Sequence, residues 1–537
     1  MARFAAFILF PLLLAADHPA HAHAVLVETV PADGAVLADP PREVILRFNE
    51  PVALVTVRVL DIDARPIADG ARARVENEAV VLPLPPDLPN ATYVVSYRVI
   101  SLDSHAIAGA IMFSVGDAPA GDVRLEAADL ATVLSLAATR ALFLAALLIA
   151  TGAILALWLV ADFAGDVVRR GRRTVLMAGL AALLLGALLL GVAGCNFAGV
   201  PLTGLADAAT WRLALSVALA QSLAVAGAGL TLMLAALPRL EHGSNRLVAV
   251  AGSLIALGSL ALTGHAATAA PQWLMRWAVP LHALCAAFWL GALPLLAAAV
   301  RTEPPERAHR YAVRFSAYAL VAVTTMLALG LALAVVQVEH LALMWQTAYG
   351  IVLQCKLAAI VLLLAVAAYN KWHATPLLAD GSAGARAIFR RAIYAEYLLF
   401  AGIIAFTAML GEIEPPRAQV ERDARALTGG ADFTESRTQA GYRITLSVAP
   451  ARAGHNALAI DMTDADGRTV TSREVALELS LPAAGIEPLR RQAQHDGSGR
   501  FIQHGNDLAR AGRWRIEVHA LIDDFTKPIV AFDVPIR

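Results

Sequence analysis

Residues 141–162 read ALFLAALLIATGAILALWLVAD, and residues 167–173 read VVRRGRR. The first stretch is uncharged up to Asp162 and long enough to cross the roughly 30 Å hydrocarbon core of a bilayer as a helix. The second sets Arg169, Arg170, Arg172 and Arg173 just beyond it. The pairing recurs along the chain. Apolar runs lie at 141–162, 174–196, 212–236, 247–267, 277–299, 313–336, 348–369 and 392–410. Arg239 and Arg246 follow the third run, Arg301, Arg307 and Arg310 the fifth, and Lys371, Arg386, Arg390 and Arg391 the seventh. The alternate connections, 196–211, 265–275 and 337–347, carry lysine or arginine at neither end nor middle except Arg276, which lies past the second of them. Basic loops stay on the cytoplasmic side. The reading is an eight-helix transmembrane bundle over residues 129–410 with both chain ends outside.

Composition agrees. Of 537 residues, 58% are hydrophobic and 16% charged, with mean hydropathy +0.61. A soluble chain carries about a quarter charged residues, so a water-solvated enzyme does not fit. A formal net charge of −1 offers no basic footprint for nucleic acid. The three cysteines, Cys195, Cys285 and Cys355, all sit in apolar runs, which leaves the flanks without a disulfide framework.

Those flanks read differently from the middle. Residues 1–22 have one early positive charge, Arg3, an apolar core, and Ala20-His21-Ala22 as an A-x-A cleavage site, the pattern of a signal peptide. Residues 23–117 then show short runs rich in Val, Ile and Tyr at 43–49, 54–60, 79–84, 92–100 and 110–115, separated by Pro/Gly/Asp/Asn clusters. That spacing predicts an all-β sandwich or barrel. Residues 118–128 and 411–430 read as linkers. The tail, 431–537, alternates at period two over 442–448, 457–461, 475–479, 499–503, 514–519 and 529–534, predicting a second β-sandwich. The expected fold class is therefore a multidomain membrane protein with an all-β domain at each end, in a bacterial inner membrane with both termini periplasmic.

Cleavage before His23 would create a chelate, because the new α-amine and the imidazole Nδ1 of one residue can close a ring on one ion. The unperturbed amine pKa of about 7.7–8.0 lets Cu(II) displace that proton near neutrality. Asp103 and His105 project to the same face of an extended segment and supply two further ligands, completing the tetragonal N/O set that Cu(II) prefers.

Ionisable residues inside spans are costly and read as functional by default. His265 ends the fourth span. His282 and Cys285 share a face of the fifth at i, i+3, with His282 roughly 8–10 Å below the outer boundary. Two readings stand for these three: a copper path inward, or interhelical hydrogen bonding and packing. Lys356 in the seventh span and Glu396 in the eighth are expected to form a buried pair. In the tail, His455, His495, His504 and His519 show no ligand spacing and are expected to be solvated.

His23-Ala24-Val25-Leu26, residues 31–37 (PADGAVL) and residues 44–52 (VILRFNEPV) resemble the periplasmic copper-binding CopC family, as does Asp103-x-His105. The resemblance implies a Greek-key β domain holding Cu(II) through the His23 amine and imidazole, Asp103 and His105. That family's methionine-rich Cu(I) site has no counterpart, since Met112 is the domain's one methionine. Residues 282–291 (HALCAAFWLG), Arg314-Phe315-Ser316, the stretch from Tyr349 to Lys356, and Asn370 resemble the membrane-embedded CopD family, which implies copper uptake across the inner membrane. Residues 441–461 and Gly512-Arg513-Trp514 are similar to the YtkA-like β-sandwich. Together these imply a copper homeostasis protein, not an enzyme, whose partners are copper, the lipid bilayer and unidentified periplasmic copper donors or acceptors. A membrane-anchored copper buffer or sensor, and a copper-dependent oxidative enzyme, stand as alternatives.

Overall fold

The computed structural model describes residues 24, 26–31, 35–61, 65–101, 106–116, 130–159, 165–264, 271–338, 343–413, 415–417, 433–470, 472–482, 486–495, 499–508, 510, 512–523 and 526–536. The chain forms two compact units, residues 1–417 and 418–537.

The first unit begins with nine strands: β1 (Leu26–Val30), β2 (Ala35–Leu37), β3 (Glu43–Phe48), β4 (Ala53–Asp61), β5 (Pro66–Asp69), β6 (Arg74–Glu76), β7 (Ala79–Pro83), β8 (Thr92–Ile100) and β9 (Ala106–Val115). They make a four-stranded sheet, β1-β3-β7-β6, and a five-stranded sheet, β2-β9-β8-β4-β5. Alternation builds the core: Val44, Leu46 and Phe48 from one sheet meet Val57, Val59, Val95 and Tyr97 from the other. Phe48 and Tyr97 cross edge-on, with ring centroids 5.8 Å apart. The short strands β1, β2, β5 and β6 escape a sequence reading because each has too few residues to establish a period.

Among the described residues eight long apolar helices follow: α1 (Leu130–Leu159), α2 (Gly165–Ala198), α3 (Ala218–Ala236), α4 (Gly243–Gly258), α5 (Gln272–Thr302), α6 (Pro305–Val338), α7 (Ala348–Tyr369) and α8 (Ala383–Leu410). Several start well before the expected spans, since a transmembrane helix continues past the hydrocarbon edge with polar residues such as Thr132 and Arg140. The third run differs in kind. Asp207 caps a separate short helix, Ala208–Leu215, accepting from the Ala209 backbone at 2.8 Å, and Ser216 ends it, so the span proper starts at Ala218.

Helix α5 is the axis of the bundle. In its most apolar stretch 83% is buried, against 11% for α6 and for α7. Gly152 of α1 lies against the Ala287 carbonyl of α5, and Gly291 of α5 against the Gly152–Ala153 backbone, so the two main chains touch. Small residues permit such close helix approach where no hydrophobic effect drives association. The basic helix ends gather at one end of the bundle. Arg172 bonds Glu241 at 2.6 Å, and Arg386 donates to the Val300 and Glu303 carbonyls at 3.0 and 3.3 Å.

The second unit is one eight-stranded sheet, β10 (Phe433–Gln439), β11 (Tyr442–Ala449), β12 (Gly454–Thr463), β13 (Glu474–Leu481), β14 (Ile486–His495), β15 (Phe501–Leu508), β16 (Gly512–Leu521) and β17 (Ile529–Ile536), in the order β10-β11-β12-β15-β14-β13-β16-β17. It curls nearly shut: Gln439 of β10 accepts from the Ile529 amide of β17 at 2.7 Å. The core holds Leu446, Ile460, Leu477, Ile516, Phe532 and Trp514, whose indole donates to the Arg510 carbonyl at 2.8 Å.

Candidate functional site

The residues predicted to bind Cu(II), His23, Asp103 and His105, lie outside the described residues, as does His265. Their flanks are described. Leu26 at the start of β1 pairs with Phe48 at the end of β3. The chain turns there into β4, whose first residue, Ala53, pairs with Ile100, and Ile100 pairs with Ala106. Buried Ala24 and Ser101, the described neighbours of the predicted ligands, therefore flank the same end of the sandwich, as does Glu50, a buried carboxylate in the β3–β4 turn that the sequence reading passed over.

That end rests on the membrane bundle. Ile100 is 1% exposed and belongs to the apolar core of the bundle, with Ala53, Val55 and Ala106 packed against it. Arg98 of β8 donates from Nη1 to the Asn196 carbonyl at 3.0 Å. Asn196 lies in the last turn of α2, at the end opposite the basic residues of that helix. Carbonyls there carry the negative end of the helix dipole, which favours a cation. Gly199, at φ +69°, turns the chain away beneath the guanidinium, and a β-carbon at that position would sit 2.7 Å from Arg98 Cζ. Burial lowers the Arg98 pKa from its ordinary value. The group stays charged, so this contact is a desolvated cation on a helix terminus.

Inside the bundle, His282 lies ten residues into α5, about 15 Å from the N-terminal end of that helix. Its Nδ1 stands 3.0 Å from the Met326 carbonyl of α6. A carbonyl only accepts, so Nδ1 carries a proton, and in the neutral ring Nε2 then keeps its lone pair. Gly330, one turn on, makes room for the ring: a β-carbon there would lie 3.2 Å from Cε1. Cys285 is 1% exposed among apolar neighbours. Among the described residues no third histidine, cysteine or carboxylate joins these two in a ligand cluster.

The expected pair between Lys356 and Glu396 does not form. Glu396 instead accepts from Trp289 Nε1 at 3.0 Å and from Asn370 Nδ2 at 2.6 Å. The antiparallel hairpin of α7 and α8 explains the difference. With Asn370 beside Glu396, Lys356 stands level with Leu410, about 20 Å away along the hairpin. The helix widens to a π turn over Asn370–Ala374, which brings the amide inward. Glu396 and Asn370 line a cavity of about 240 Å³ together with Trp289, Ser316 and Lys371.

In the second unit the expectation for one histidine also fails. The His519 side chain is 13% exposed, and its Nε2 lies 3.9 Å from Glu478 and 3.8 Å from Glu517.

Comparison with known proteins places the domains. The CopC domain family matches residues 26–116, the copper resistance protein D-like N-terminal domain residues 127–273, and the copper resistance protein D family residues 309–410. Copper transport protein CutJ of Bacillus subtilis (strain 168) is 25% identical over 537 residues, covering 95% of each chain. Among solved structures, CopC from Methylosinus trichosporium OB3b is 28% identical, covers 19% of this chain and 100% of its own, and gives a TM-score of 0.17. PcoC, a methionine-rich copper resistance protein from Escherichia coli, is 25% identical, covers 18% of this chain and 99% of its own, and gives 0.15. These are copper resistance and transport families, not enzyme families. One polypeptide thus carries matches to all three family models, a CopC-type domain followed by a multi-pass membrane region similar to copper resistance protein D.

Proposed function

We propose that the protein captures periplasmic Cu(II) at the end of its CopC domain and takes part in copper import across the inner membrane. In this reading a signal peptide is removed before His23, both mature termini are periplasmic, and the ligands are the His23 amine and imidazole, Asp103 and His105. One observation carries the reading. The sandwich end flanked by Ala24, Ser101 and Ala106 is the end seated on the bundle, opposite its basic loops. Copper released there would start at the outer mouth of the helices. His282, with Nε2 free to coordinate, is the first imidazole inward among the described residues of α5, and imidazole suits copper. The similarity to a copper transport protein across nearly the whole chain supports a role in copper transport.

Cells carrying the intact gene, His105→Ala or His282→Ala test this by cytoplasmic copper content and by the Cu(II) EPR spectrum of the purified full chain. We expect His105→Ala to remove a tetragonal Cu(II) signal and to lower copper accumulation. His282→Ala should lower accumulation while leaving that signal intact. An unchanged signal in His105→Ala overturns the ligand assignment. Equal cytoplasmic copper in all three strains, with binding retained, points to a membrane-anchored buffer. The absence of a three-ligand cluster in the described part of the bundle favours that second reading.

A further inference from the structure

The second unit holds a group of side chains that the copper reading does not use. Strands β13 and β16 run antiparallel with Glu478 directly opposite Glu517. His519, two residues beyond Glu517, projects to the same face. That face is the one turned away from the core, since Trp514, Ile516, Val518 and Ala520 point the other way. Two like charges facing each other across a strand pair are destabilising unless something positive stands between them. Arg515 takes one oxygen of Glu517, donating from Nε to Oε1 at 3.0 Å. The other oxygen turns toward the imidazole.

The resulting arrangement is convergent. One oxygen from each glutamate and Nε2 of His519 all lie within 4.8 Å of one another. Among the described residues this is the one group of three such ligands. His519 Nε2 is closed off from solvent and makes no hydrogen bond. Its separations from the two carboxylates, 3.9 and 3.8 Å, are too long for hydrogen bonds. With metal bonds of about 2.0–2.2 Å, ligands on one centre sit roughly 3.0–3.5 Å apart, so an ion seated between the three would draw the imidazole and each carboxylate closer by about half an ångström and bring the two carboxylates into the same range.

We propose that Glu478, Glu517 and His519 form a second metal site, separate from the CopC domain, for a borderline divalent transition-metal ion. One imidazole nitrogen and two carboxylate oxygens suit Cu(II) or Zn(II) and lack the soft sulfur ligands that select Cu(I). Water completes the coordination on the open side, where both glutamates are 31% exposed. The ion adds to Arg515, bonded to Glu517, and to Arg490, paired opposite Glu478 on β14, in offsetting the two carboxylates, and gives the buried Nε2 its partner.

The test uses the purified full-length chain in detergent, loaded with Cu(II) by equilibrium dialysis and compared with His519→Gln, Glu517→Gln, His105→Ala and the His105→Ala/His519→Gln double variant. Hydrogen–deuterium exchange of peptides covering β13 and β16, whose core side includes buried Trp514, reports whether the domain remains folded. We expect His519→Gln to lose one equivalent of Cu(II) in both the parent and the His105→Ala background, together with an EPR signal coupled to a single imidazole. Glu517→Gln should keep the exchange protection of β13 and β16 and weaken binding at this site by about tenfold or more. Zn(II) should compete for the same equivalent. If both the His519 and Glu517 variants bind as much Cu(II) as their parents, with the same spectrum and affinity, the proposal is wrong. Because each site is read in the absence of the other, loss of one assignment leaves the other standing.

Discussion

Replacing Arg98 with alanine isolates the contact that seats the CopC domain on the helices. The guanidinium donates to the Asn196 carbonyl at 3.0 Å, where the C-terminal end of α2 exposes its negative pole. A hydrogen bond from a charged group contributes about 1.5–3 kcal/mol net. At about 1.4 kcal/mol per decade, truncation shifts the ratio of seated to lifted domain by roughly 10- to 150-fold. The carbonyl keeps the Gly199 amide at 3.2 Å, so no buried acceptor is orphaned to inflate the effect. The apolar contact persists, with Ile100 still buried. Full burial of such a side chain contributes about 1.5–3 kcal/mol, so the domain should open more often without losing its fold. Hydrogen–deuterium exchange of the chain in lipid nanodiscs reads this directly. Peptides covering 98–101 and 195–200 should exchange faster by one to two orders of magnitude in Arg98→Ala, while the sandwich core around Val95 and Phe113 keeps its protection. Arg98→Lys should fall between, since it retains charge without the planar fork. Unchanged exchange at both peptides in Arg98→Ala would refute the assignment of this bond to docking.

Two further substitutions probe the bundle. Gly152→Leu pushes a side chain into the Ala287 carbonyl, where even a β-carbon collides. The expected cost is about 4–5 kcal/mol or more, seen as loss of a monodisperse detergent-solubilised peak in size-exclusion chromatography, and a normal peak would contradict the backbone contact. Trp289→Phe keeps the aromatic packing against Phe400, at 5.4 Å between centroids, but removes the donor to Glu396. Steric unfolding in mixed micelles should show a loss of about 0.6–1.7 kcal/mol that vanishes in a Glu396→Gln background if the bond is the cause. Additive losses would assign the effect to packing alone.

The parts of this fold that the sequence revealed are those where one physical requirement repeats. Eight apolar runs place the spans, because the hydrocarbon core demands the same length and apolarity of every helix. Helix ends were less legible, since outside the hydrocarbon core Thr132 or Gln272 is as acceptable in a helix as in a loop. Strand β14 was missed for a related reason: IEPLRRQAQH buries Ala493 and packs Ile486 at the edge of the core, too far apart to show a period-two pattern. Pairings between elements were the least accessible. Lys356 and Glu396 are each unusual within an apolar helix, and only the hairpin register shows that they stand at different depths. Glu478 and His519 belong to different strands, and only the pairing of β13 with β16 makes them neighbours.

The main-chain contact between α1 and α5 has a mechanical consequence. A helix locked by touching backbones at Gly152 and Gly291 cannot slide or rotate without breaking the fit on which the bundle is built. Helices α6 and α7, whose flanks face lipid over most of their length, bear no such constraint. The cavity at Glu396 is walled by α6 and α7 on one side and floored by α5 and α8 on the other. With α5 held in place, a change in its width would fall to the helices around it, moving like hinged panels against a post. His282 donates across from that post to one of the panels, and its grip on the Met326 carbonyl would be felt as tension whenever α6 swings.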